Sequence, residues 1–102
     1  MERIRAALDS NQWVMSRHAR EQAGKRYIED IDLLSSLIKG EVLEDYPDDP
    51  RGASMLILGR TDEGNALHTV CSFDVSGTLI IITVYEPEQP KWVDERTRGG
   101  KP

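Results

Sequence analysis

Two histidines, a strand-end tyrosine and two arginines are the residues of this chain best suited to chemistry: His18, His68, Tyr85, Arg26 and Arg51. Histidine takes or gives a proton near neutral pH. A phenol donates a proton or stacks on an aromatic base. Guanidinium pairs bidentately with phosphate oxygens. Together these types suit proton transfer beside a phosphate group, with His18, His68 and Tyr85 as catalytic candidates and Arg26 and Arg51 as substrate clamps. Each also has a plainer reading. His18 locks its helix onto a sheet, His68 is a satisfied mid-sheet residue, and Tyr85 is a half-buried aromatic. The arginines pair with nearby carboxylates such as Glu44, Asp48 and Asp49.

A metal centre is not expected. His68 and Cys71 are three apart, a spacing that sends them to opposite faces of a strand. Two ligands also fall short of the four that structural zinc needs. Cys71 reads as a small core residue, and no cofactor motif appears.

The elements must position these residues. Residues 79–86 are apolar almost throughout, which suits a strand buried on both faces in the middle of a sheet. Strict alternation puts Leu79, Ile81, Thr83 and Tyr85 on one face, and Ile80, Ile82 and Val84 on the other. In the strand 66–73, His68 faces away from Leu67, Thr69 and Cys71, toward an open concave face if helices cover the other. The register between these strands is not fixed by the sequence, so whether His68 and Tyr85 share a face stays open.

Residues 2–9 have helical spacing, 13–16 read as a short strand, and 17–26 form a second helix with Ala19 and Ala23 on one face. On that helix His18 shares a face with Gln22 and Lys25. Asp30 is the expected N-cap of a third helix. Ile31, Leu34, Leu37 and Ile38 form its core stripe, and Gly40 its left-handed C-cap. Strands follow at 41–46, with Val42 and Tyr46 on one face, and at 54–58, 66–73 and 79–86, joined by short turns that imply an antiparallel meander. The first strand pairs in parallel beside the last. The expected fold is α+β: a β-α-α-β-β-β-β core behind an N-terminal helix, a mostly antiparallel sheet, and helices on one face. Residues 1–96 form one domain, and 97–102 a flexible tail.

The chain has 102 residues, one cysteine and a net charge of −5. That size supports one modest core. A single cysteine excludes an internal disulfide and fits a reducing cytoplasm. No apolar stretch is long enough to span a membrane, and no signal peptide is apparent. The acidic balance argues against general nucleic-acid binding. The charge is uneven, however: 17–26 carries Arg17, Arg20, Lys25 and Arg26 against Glu21, and 41–49 carries five acids and no base. That acidic strand is a charged sheet edge, or a surface for a basic partner segment.

Several motifs in combination resemble a known family. They are Ser16-Arg17-His18-Ala19, Gly40-Glu41-Val42-Leu43-Glu44-Asp45-Tyr46-Pro47, Asp49-Pro50-Arg51-Gly52, Leu67-His68-Thr69-Val70, Ile82-Thr83-Val84-Tyr85-Glu86-Pro87 and Lys91-Trp92. Over about residues 13–93 the chain resembles a bacterial and archaeal family of small domains of unknown function, often found beside zinc-finger antitoxin-like proteins. Its element order is similar to that of the RelE, MqsR and BrnT toxins, which are metal-independent mRNA endonucleases. The resemblance implies an endoribonuclease with an RNA substrate and an antitoxin-like partner. Many members of the family carry a basic residue one helical turn after the histidine, where this chain has Gln22. A non-catalytic interaction domain that keeps the fold is the other reading, supported by the acidic charge.

Overall fold

The computed structural model describes residues 1–50, 52–88 and 91–99. Three helices and five strands follow in the order α1 (Glu2–Asp9), β1 (Trp13–Met15), α2 (Arg17–Lys25), α3 (Asp30–Ile38), β2 (Glu41–Tyr46), β3 (Ser54–Arg60), β4 (Ala66–Phe73) and β5 (Leu79–Tyr85). The strands make one sheet in the order β1-β5-β4-β3-β2. β1 runs parallel to β5, and the other neighbours are antiparallel. The long apolar run of β5 is thus explained by a strand on each side of its first half. No helix among the described residues is long and apolar enough to cross a membrane.

The helices cover one face. Ile4 and Ala7 of α1, Ala19 and Ala23 of α2, and Leu33 and Leu37 of α3 pack on Ile57, Leu67, Cys71, Leu79, Ile81 and Val84. α3 is rotated from the expected stripe. Leu33, Ser36 and Leu37 face inward, whereas Ile31 and Ile38 are exposed. The reason is a close backbone approach: a Cβ on Gly59 of β3 would lie 2.0 Å from the Ser36 carbonyl oxygen. A small residue on each side lets α3 sit tightly on the sheet, and apolarity alone does not reveal that. Glu29, not Asp30, occupies the N-cap position of α3. Gly40 is not left-handed either; a Cβ there would meet Ile57 at 2.7 Å, so it is needed for space.

Two β-bulges break strict alternation. In β5, Ile81 pairs with Cys71 and Thr83 with Val70, leaving Ile82 as the extra residue. Val84 therefore joins Leu79 and Ile81 on the helical face, while Thr83 and Tyr85 turn to the other. In β2 the extra residue is Leu43, so Glu41, Glu44 and Tyr46 lie beside Leu58, Leu56 and Ser54, opposite the helices. Val42 and Tyr46 consequently point to different faces.

The second face is not open over β3 and β4. Residues 92–98 fold back as a small hairpin, closed by a Trp92–Arg98 bridge and a 2.8 Å hydrogen bond from the Val93 amide to the Thr97 carbonyl. Asp94 accepts from the amides of Arg96 and Thr97 at its turn. Trp92 is buried over His68. Three ion pairs fasten the hairpin: Arg96 to Glu41, Arg98 to Glu44 and Arg60 to Glu95. Arg98 also lies 4.7 Å from the centre of the Trp92 ring. The acidic strand β2 is therefore both the sheet edge and a dock for a basic segment of its own chain. Thr97, Arg98 and Gly99 belong to this hairpin rather than to a tail; residues 100–102 lie outside the described residues.

Candidate functional site

The site begins with Ser16. Its hydroxyl accepts the Ala19 amide at 3.0 Å, capping α2, and donates to the Ile82 carbonyl at 2.8 Å. Its own amide donates to the Ile81 carbonyl at 2.9 Å. One residue thus starts α2 and ties that start to the β5 bulge. The first turn of α2 is thereby held against the polar end of β5. His18, Gln22 and Arg26, at i, i+4 and i+8, form one wall of a cleft of about 650 Å³. Thr83, Tyr85 and Glu86 line it from β5 and its end, and Glu88, Lys91 and Trp92 complete it. Lys25, expected beside His18, is exposed and outside the lining.

His68 does not reach the cleft. The bulge puts it directly opposite Tyr85 on the same face, but the hairpin buries it completely. Its Nδ1 lies 3.2 Å from the Tyr85 hydroxyl, and its Nε2 lies 2.7 Å from the Glu95 carbonyl oxygen. A carbonyl oxygen only accepts, so Nε2 carries the proton. Burial pushes the His68 pKa below its ordinary value, against smaller upward pulls from the Glu95 carbonyl and the Glu44 charge. In the neutral ring, Nδ1 then accepts from the Tyr85 hydroxyl. The Trp92 ring stands edge-on at 4.3 Å and 87°. Burial raises the Tyr85 pKa. The Trp92 indole pulls that pKa the other way, more weakly, and its buried N–H has no hydrogen-bond partner among the described residues.

The cleft is electrostatically mixed. Arg26 is paired with Glu88 at 2.6 Å. Lys91 has no carboxylate partner among the described residues. Two cations therefore face two carboxylates, Glu86 and Glu88. The arrangement offers an imidazole, a phenol with a histidine behind it, and one unpaired ammonium. It can exchange protons with a bound ligand and hold one negative charge. No group of three or more His, Cys, Asp or Glu residues that could hold a metal occurs among the described residues. His68 faces the hairpin and Cys71 the helical core, on opposite sides of β4.

Of the sequence candidates, His18, Tyr85 and Arg26 meet in the cleft, and His68 stands behind Tyr85. Arg51 lies outside the described residues. The shared face of His18 and Gln22 expected from helical spacing is the cleft wall, whereas Lys91 and Trp92 were not expected as lining residues. Helical spacing from His18 through Gln22 to Arg26 was a usable signal. A lone tryptophan in a charged C-terminal stretch was another.

No curated protein and no solved structure matches this chain. One family model does, over residues 15–86, most of the chain and all of β5. The protein therefore belongs to the family described as "Domain of unknown function (DUF4258)".

Proposed function

We propose that the cleft cleaves RNA by side-chain proton transfer, as a relative of the RelE-type toxins. The observation that carries this reading is that His18 and Tyr85, from different elements, face one cleft with Arg26 and Lys91. In such a cleavage the ribose 2′-oxygen attacks phosphorus and the bond from phosphorus to the 5′-oxygen breaks. A base takes the 2′ proton, an acid protonates the leaving 5′-oxygen, and the products are a 2′,3′-cyclic phosphate and a 5′-hydroxyl. His18 and Tyr85 supply the two proton positions. Lys91 and Arg26 offset the charge that grows on the phosphate, Arg26 once Glu88 yields it. An antitoxin-like protein is the proposed partner.

The test is incubation of the purified protein with single-stranded RNA in the presence of a chelator, with the new ends identified. Cleavage leaving cyclic phosphates is expected. His18→Ala and Tyr85→Phe should each lower it by about 100-fold or more at an unchanged thermal melt. Intact RNA, together with unimpaired growth of cells expressing the protein, would sink the proposal. That result would favour a non-catalytic interaction domain, for which the balance of Glu86 and Glu88 against the two cations already speaks.

A further inference from the structure

We infer that His68 is a positioning residue that makes Tyr85 the proton acceptor of the cleft, which leaves the donor role to His18. The inference rests on the cleavage reading for its chemistry, but its structural half stands independently. Two distances lead to it. The Glu95 carbonyl, 2.7 Å from Nε2, holds the proton on that nitrogen. Nδ1 is then a bare acceptor 3.2 Å from the Tyr85 hydroxyl. The Tyr85 hydrogen therefore points inward to His68, and the oxygen faces the cleft as an acceptor, beside the Trp92 indole. A tyrosine without this partner would turn its hydrogen toward any acceptor, including a phosphate oxygen. Here that direction is taken.

The proton path follows. The Tyr85 oxygen accepts the 2′-hydroxyl proton while its own proton passes to His68 Nδ1, so no free phenolate forms. The 2′-oxygen bonds to phosphorus, the 5′-oxygen leaves, and protonated His18 gives it a proton. Afterwards His68 returns its proton through Tyr85, which releases one to solvent, and His18 regains one from solvent. Burial is the largest influence on the transient imidazolium and opposes it, as does Arg98, so the charge is short-lived; the Glu95 carbonyl and the Glu44 and Glu95 carboxylates offset part of that cost. Glu95 belongs to the hairpin and Glu44 to β2, so the clasp that buries His68 also supplies countercharge.

Two measurements test this. Nitrogen NMR of the wild-type protein at neutral pH should show His68 protonated at Nε2 and bare at Nδ1. The opposite tautomer would overturn the inference whether or not RNA is cut. Kinetically, His68→Phe keeps a ring against Trp92 and should lower kcat about 100-fold with little change in KM. It should also move the acidic limb of the pH–rate profile, which a merely structural histidine would not do. If wild type cleaves RNA and His68→Phe cleaves equally fast with an unmoved profile, the inference fails while the cleavage reading survives. If wild type does not cleave, the cleavage reading fails and the tautomer alone decides the positioning claim.

Discussion

His68 is a buried imidazole that the fold keeps neutral, and this has a thermodynamic consequence. Its pKa is lowered from the ordinary 6.5 chiefly by burial. Below that value the unfolded chain binds a proton at this site that the folded chain resists. The unfolded state therefore gains as pH falls, and folding stability drops on acidification from about 6.5 downward. Urea midpoints on either side of that pH should show the loss, with a slope from this group of at most about 1.4 kcal/mol per pH unit. His68→Phe should flatten it; an unchanged slope in the variant would place its origin elsewhere. Cys71 gives a second residue-level expectation. It is fully buried, and its thiol is pushed up to about 12. A disulfide reagent should leave it unmodified in the native protein and label it once denaturant is added. Prompt labelling without denaturant would contradict the packing around it.

Elements are set here by close approach as much as by apolar pattern. Gly59 lets the backbone of α3 touch β3, with an added Cβ only 2.6 Å from the Ser36 carbonyl carbon. Gly59→Ala must move an element and should cost about 1–3 kcal/mol or more. Gly24, in α2, has nothing within 4 Å of a built Cβ. Gly24→Ala should therefore stabilise by about 0.4–1 kcal/mol through a less flexible unfolded chain. Chemical denaturation of both variants checks the opposite signs; equal signs would refute the packing argument. Ser16 links two elements, so Ser16→Ala loses a helix cap worth about 1 kcal/mol and also unties the β5 bulge. It should weaken any activity of the cleft more than its effect on stability suggests.

At the scale of the molecule, the sheet carries a core on each face. The helical side holds the larger one. On the other, Leu56, Leu58, His68 and Trp92 are buried where the C-terminal hairpin closes down. Burial, not charge, should dominate that closure. The Arg98–Glu44 pair is 55% and 25% exposed at its two side chains, and exposed pairs contribute about 0.2–1 kcal/mol. Removing a buried tryptophan costs about 3–5 kcal/mol. Trp92→Ala should thus destabilise far more than Arg98→Met, and added salt should change the wild type little. A larger loss from Arg98→Met in denaturation experiments would show that the clasp is electrostatic.

The sequence by itself determined the element order, the parallel pairing of β1 with β5, the meander and the separation of His68 from Cys71. These follow from local chemistry: apolar runs, turn residues and the alternation of strand side chains. It also marked His18, Tyr85 and Arg26, whose types are suited to proton transfer and phosphate contact. Only the tertiary structure decided where they point. An extra residue at Ile82 brings Tyr85 onto the face of His68, and no local propensity marks a bulge in an unbroken run of isoleucines. An extra residue at Leu43 turns Glu41 and Glu44 toward the arginines of residues 92–98. The burial of His68 depends on that hairpin, more than twenty positions away in sequence. Such long-range choices are made by the fit of whole faces against one another, which one-dimensional periodicity does not encode.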